Sequence, residues 1–282
     1  PDAVFLAESA IWENKNVFAM DPASRMDWAD YTGTEAQVKD RADLVYFVGC
    51  VTSYSGRAQG VAHAISSILN SVGEEWTLLK DEWCCGHPLA LTGGTGRIKQ
   101  TAKHNVEAIE ATGASRVVTG CPGCYLELVH EYPKALGRVP GFEVLHFTQL
   151  LDHYVSWGLL KMGKFEEKLT YHDPCELGRI GGVFQEPRNV IGSFCTSFLE
   201  PTENLENSNC CGAGGFVKGV DLPLASALAD TRLKALTRTS AEVVVSACPS
   251  CYQNLLEASQ RKGNELRVLD LSELVAQQLG LD

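Results

Sequence analysis

No apolar run in this chain approaches the roughly 18 to 20 residues that a membrane-spanning helix needs. The opening residues, PDAVFLAESAIWENK, lack a basic start and a long apolar stretch, so no secretory leader is expected. Basic charge is scarce: 24 Lys and Arg stand against 35 Asp and Glu, a formal charge of −11. An acidic surface of that kind disfavours non-specific binding to nucleic acid or anionic membranes. A dinucleotide fingerprint is missing, because Gly212-Ala213-Gly214-Gly215 follows a double cysteine and has the wrong spacing. Carboxylates such as Glu110 show no paired arrangement for acid–base work.

Cysteine, by contrast, is abundant, with eleven in 282 residues. A disulfide framework is a poor reading, because such frameworks staple small secreted domains that lack a core. Ten of the eleven follow one rule. Cys50, Cys84, Cys85, Cys121 and Cys124 are matched by Cys175, Cys210, Cys211, Cys248 and Cys251, at offsets of 125, 126, 126, 127 and 127 positions. The flanking sequence repeats too: VVTGCPGCY at Val117–Tyr125 becomes VVVSACPSCY at Val243–Tyr252, and each is preceded by a Cys-Cys-Gly. Cys195 stands apart in the apolar stretch Ile191–Phe198 and is expected in a core.

The repeat alternates short β-branched runs with helical spacing. Leu44–Val48, Trp76–Leu79, Arg116–Val118 and Val144–Phe147 read as strands; Gly56–Leu69 and Arg97–Glu110 read as helices. The second copy offers Leu169–Asp173, Val243–Val245 and Leu266–Leu269 as strands and Leu222–Thr237 as a helix. Such alternation predicts an α/β fold: two similar Rossmann-like halves with parallel sheets and helical faces. Ligand sites in such sheets lie beyond the strand C-terminal ends, and the cysteine clusters fall there. The expected organisation is an extended lead-in over 1–42, a first domain over 43–157, a linker over 158–168 and a second domain over 169–282. Trp12, Phe18 and Trp28 are expected as buried anchors of the lead-in. The two cysteine rims are expected to face a shared cavity.

A zinc site takes four ligands, so five cysteines in each half are one too many. An ordinary cubane iron–sulfur cluster also needs only four. The arithmetic favours an unusual cluster, although zinc in one half with iron–sulfur in the other stays open. Redox dithiols in the two Cys-x-x-Cys turns ignore the double cysteines.

These ten residues resemble the cysteine-rich CCG domain, found twice in the catalytic subunit of heterodisulfide reductase. His172-Asp173-Pro174-Cys175-Glu176-Leu177-Gly178-Arg179 looks like that family's approach to its second site, and Asp21–Trp28 is similar to the linker ahead of the first CCG domain in fused forms. The resemblance implies two non-cubane [4Fe–4S] clusters on the ten cysteines. It implies reductive cleavage of a heterodisulfide, such as that of coenzyme M and coenzyme B; because that cleavage needs two electrons, one electron from each cluster is the expected mechanism. Within that reading His87 is a candidate proton donor, His172 a catalytic candidate or a strand-end brace, and Arg179 an anion binder or a partner to a carboxylate; Arg57 is a weaker counterpart. An iron–sulfur, ferredoxin-like donor subunit and a flavoprotein subunit are the implied partners, in a hetero-oligomeric complex. Oxygen sensitivity points to the cytoplasm or the cytoplasmic face of a membrane complex. Two rivals remain: an electron-transfer subunit of a hydroxy-acid or flavin dehydrogenase or a membrane sulfur-metabolism complex, and a zinc-stabilised scaffold.

Overall fold

The structure is a computed structural model that describes residues 1–33, 37–263 and 266–281. Residues 34–36, in the expected lead-in, and 264–265 and 282, in the second repeat, lie outside the described residues. The chain forms two compact units, Pro1–Phe147 and Thr148–Asp282.

In the first unit, β1 (Leu44–Tyr46), β2 (Trp76–Thr77), β3 (Arg116–Thr119) and β4 (Glu143–His146) make one parallel sheet in the order β2-β1-β3-β4. In the second, β5 (Leu169–His172), β6 (Val243–Ser246) and β7 (Arg267–Asp270) make a parallel sheet in the order β5-β6-β7. A lone parallel bridge between Leu169 and Phe198 stands where β2 stands in the first unit. Every residue of β1, β5 and β6 is buried, which is why these strands read as apolar, aromatic or β-branched runs up to their last residues, His172 and Ser246 in β5 and β6, instead of alternating ones. The registers agree as well: Leu44 lies opposite Arg116 as Leu169 lies opposite Val243. The expected α/β fold with parallel sheets is therefore present in both halves.

Helices close the sheets as their spacing predicts. Gln59–Ser71 buries Val61, Ala64, Ile65, Ile68 and Leu69, and Leu222–Thr237 has the bounds read from the sequence. Each fully buried large aliphatic side chain contributes about 1.5–3 kcal/mol. The helix Phe147–Ser156 buries Leu150, Leu151 and Tyr154, and its Asp152 accepts a hydrogen bond from Asn189 of the helix Gln185–Gly192. Phe165, in the stretch expected as linker, bridges to Cys195 and packs edge-on against Phe194.

The lead-in, expected as an extended segment with a short helix over Ala23–Asp30 that packs on a domain or a partner, is helical from its start. Asp2–Asn14 is a helix, Pro22–Met26 a 3-10 turn and Asp27–Thr32 a short helix. Ile11 packs with Cys50, Cys84, Leu89 and Ile98, so this segment is built into the first unit. Trp28 is fully buried as expected, but Trp12 and Phe18 are 47% and 43% exposed. Trp12 sits under the cations of Lys15 and Arg97, and Phe18 lies against Tyr54; cation–π and ring contact replace burial at both. Cys195 is half-buried at a bridge and not in the core.

The helix Leu271–Leu279 starts with a capping box between Asp270 and Glu273. Burial pushes the Glu273 carboxyl up to about 7 and the Asp270 carboxyl up to about 6. The folded chain thus holds protons that the unfolded chain has lost, and stability falls as pH rises from about 4.5 through 7. Glu273→Gln keeps an oxygen for the Asp270 N–H and removes one of these groups. Urea unfolding at pH 5 and pH 8 should therefore show a smaller loss of stability for Glu273→Gln than for the wild type. An equal loss would mean that Glu273 titrates normally.

Candidate metal centres

In the first half Cys50 opens the helix Cys50–Tyr54 just past β1. Gly49 precedes it at φ 80°, and a Cβ there would lie 3.0 Å from the Cys124 Sγ, so the tight turn and the nearby sulfur both demand glycine. Cys84 and Cys85 lie between β2 and the helix His87–Thr92. Cys121 caps the helix Pro122–Leu126, which carries Cys124. Proline at the first helical position suits this start, since its missing N–H has no partner there anyway.

The five thiols form a chain of contacts. Cys50 bonds Cys84, Cys84 bonds Cys85, the Cys85 and Cys124 sulfurs are 3.3 Å apart, and Cys124 bonds Cys121. All five are free thiols. The hydrogen bond to Cys84 and then burial hold the Cys50 thiol well above its ordinary range. Hydrogen bonds to Cys121 and Cys85, and then burial, do the same to Cys124. Cys85 is lowered because Cys124 and Cys84 donate to it.

The second half repeats this order. Cys175 follows β5, and Cys248 caps the helix Pro249–Arg261, which carries Cys251. Cys175 bonds Cys210, Cys210 bonds Cys211, the Cys211 and Cys251 sulfurs are 3.1 Å apart, and Cys251 bonds Cys248. Bonds from Cys175 and Cys211 pull the Cys210 thiol down to about 2. The Gly212 and Ala213 N–H groups point at the Cys210 and Cys211 sulfurs, at 3.3 and 3.5 Å. Gly212 has φ 84°, and a Cβ on it would meet the Ala225 carbonyl oxygen at 2.5 Å, which explains the glycine after the double cysteine. Sulfurs that share protons this way suit displacement of those protons by metal, which binds the thiolate.

Buried polar groups surround the thiols. Glu82 accepts from the Val48 and Gly49 N–H groups and pairs with Arg25 at 2.8 Å. Arg25 also donates toward the Cys50 sulfur at 3.7 Å and to the Lys15 carbonyl, which in turn accepts from the Cys84 N–H. Arg25 and Glu82 were not singled out from the sequence; the only signal was the likeness of Asp21–Trp28 to a family linker. Asn254 supports the second double cysteine by donating to the Cys211 carbonyl, and Asn105 donates to the Cys84 carbonyl in the first half.

Of the three residues expected beside the cysteines, His87 faces Glu127 at 3.3 Å and packs on Gly123 next to Cys124. Arg179 donates to the Glu206 and Ser208 carbonyls and so braces the loop ahead of Cys210. Arg57 is exposed on a 3-10 turn. His172 is fully buried at the end of β5, and one of its ring nitrogens and the Cys211 and Cys251 sulfurs all lie within 4.8 Å of one another. Its Nδ1 accepts from Arg232 at 3.0 Å, and burial, then the Arg232 charge, lower its imidazole to about 3. Nothing in the sequence marks Arg232.

Residues 44–129 and 169–256 match the family described as CCG, cysteine-rich domain. The chain belongs to this family and is similar to the D subunits of heterodisulfide reductases. The D subunit of the dihydromethanophenazine:CoB–CoM heterodisulfide reductase of Methanosarcina acetivorans is 40% identical over 96% of this chain and 66% of its own length. Its counterpart in Methanosarcina mazei is 36% identical over 96% of this chain and 67% of its own length. The chain thus spans about two thirds of the length of these relatives. The EtfAB:quinone oxidoreductase of Syntrophomonas wolfei is 29% identical over 98% of this chain and 40% of its own length. Among solved structures, a hypothetical protein from Helicobacter pylori matches with a TM-score of 0.62 at 13% identity, over 90% of this chain and 54% of that one, a likeness of fold alone. Each matched stretch contains one of the two repeated sets of five cysteines.

The Arg25–Glu82 pair is buried on both sides, with 7% and 2% of the side chains exposed. Removing one partner strands the other, so Arg25→Met should cost about 3–5 kcal/mol in chemical denaturation, and Arg25→Met with Glu82→Gln should recover part of it. A loss under about 1 kcal/mol for the single variant would show that the pair does not hold the segment to the cysteine loop.

Proposed function

We propose that each half holds a non-cubane [4Fe–4S] cluster on its five cysteines and that the chain is the disulfide-cleaving iron–sulfur subunit of an oxidoreductase. The observation that carries this reading is the identical order of sulfur contacts, 50–84–85–124–121 and 175–210–211–251–248. The donor set fits: five free thiols per half, with N–H groups from Gly212, Ala213 and Arg25 directed at sulfur. Such clusters supply single electrons and a Lewis-acidic iron for a departing thiolate. Cleaving an S–S bond takes two electrons, and two complete sites supply one each.

The chain's own residues shape this chemistry. Seven of the ten thiols are buried, which keeps water from most of the sulfur; Cys210 is the most open to solvent. His87, held by Glu127, is the proton source for a product thiolate in the first half. Arg179 fixes the loop that delivers Cys210 and Cys211. The relatives named as CoB–CoM heterodisulfide reductase subunits make a mixed disulfide of that kind the first substrate to try, with electrons arriving from an iron–sulfur or flavoprotein partner.

The experiment is anoxic reconstitution, followed by iron and sulfide analysis and by reductant-driven cleavage of the coenzyme M–coenzyme B disulfide. The intact chain should cleave it, and Cys85→Ser or Cys211→Ser should each lose about half of the iron and nearly all of the activity. Full activity in either variant would refute the two-site reading. A second reading, an electron-transfer subunit without disulfide chemistry, is favoured by the match to the EtfAB:quinone oxidoreductase. It predicts two loaded clusters that pass electrons to a quinone analogue and leave disulfides intact.

A further inference from the structure

We propose that His172 donates a hydrogen bond to sulfur in the second-half centre, without ligating its metal, and thereby raises the reduction potential of that centre alone. The proposal rests on the reading that the second half holds an iron–sulfur cluster.

The decisive contact is with Arg232. Its Nε lies 3.0 Å from the His172 Nδ1. A guanidinium has no lone pair to offer, so it donates and Nδ1 accepts. The proton of a neutral imidazole then resides on Nε2, and a protonated Nε2 is a donor, not a metal ligand. Nε2 is buried and has no hydrogen-bond partner among the described residues. Arg232 is itself fully buried, and its Nη1 donates to the Glu203 carbonyl, so the ring is held from behind. A ring nitrogen of His172 and the Cys211 and Cys251 sulfurs all lie within 4.8 Å of one another.

The first half supplies the contrast. Phe47 lies three residues before Cys50 as His172 lies three before Cys175, at the ends of strands of matching register. Phe47 is buried in a cluster with Cys85 and Cys124, the counterparts of Cys211 and Cys251. At one place in the repeat, then, the first half has an apolar ring in the same buried cluster as the sulfur pair, and the second half has an imidazole near the matching pair. Reduction adds one electron to a cluster, and a donor to its sulfur stabilises the more negative form.

The test uses the anoxically reconstituted full chain with His172→Phe and His172→Gln. The glutamine keeps an oxygen for Arg232 and an N–H for sulfur. Iron and sulfide are counted first, then both clusters are titrated by EPR against mediated potential. His172→Phe should retain wild-type iron, shift the potential of one cluster downward by about 59 mV or more, a tenfold change for one electron, and leave the other where it was. His172→Gln should restore most of the shift. In wild-type protein labelled with ¹⁵N-histidine, ENDOR should show an exchangeable proton coupled to one cluster and no nitrogen coupling of ligand strength; this measurement needs no variant. Ligand-strength nitrogen coupling, or unchanged potentials with both clusters intact, would overturn the proposal. Wild-type protein without iron in the second half would overturn the cluster reading and the proposal with it.

Discussion

Everything in each half depends on bringing five sulfur atoms into contact at one edge of a parallel sheet. Parallel strands all end on the same side, so loops far apart in sequence arrive together. In the first half the ends of β1 and β3 and the segment after β2 deliver Cys50, Cys121 and Cys84-Cys85 to that edge. Thiols crowded in this way share protons unequally, some held far above and some below their ordinary range. Metal relieves that crowding by replacing the protons.

The surroundings of the sulfurs differ between halves although the sulfurs do not. The first set is backed by a charged pair from the N-terminal segment and the cysteine loop, Arg25 and Glu82, and by the apolar ring of Phe47. The second is backed by His172 and Arg232, drawn from β5 and the helix Leu222–Thr237. Two candidate centres with the same sulfur set thus lie in unlike polar settings, and such settings tune a bound metal.

Much of the fold was legible in advance. Strands buried on both faces appear as runs such as Val243–Val245, and the apolar spacing of the helices is local, so both can be read from neighbouring residues. The candidate ligands were legible because a repeated cysteine pattern survives as order and spacing. The N-terminal segment was misread as extended: the helix Asp2–Asn14 leaves Phe5 and Leu6 exposed while burying Ala7, Ala10 and Ile11, so its pattern is not cleanly amphipathic. Trp12 and Phe18 were misjudged because an aromatic ring finds a cation or another ring at the surface as readily as a core.

The sequence by itself determined the duplication, the parallel α/β halves and the ten thiols, because each is written in local pattern or in spacing along the chain. Only the tertiary structure decided what stands behind those thiols. Arg25 reaches Cys50 across 25 positions and Arg232 reaches His172 across 60. Such partners are chosen by packing that closes distant segments on one another, and a buried charge or imidazole has no local signature until its partner is in place.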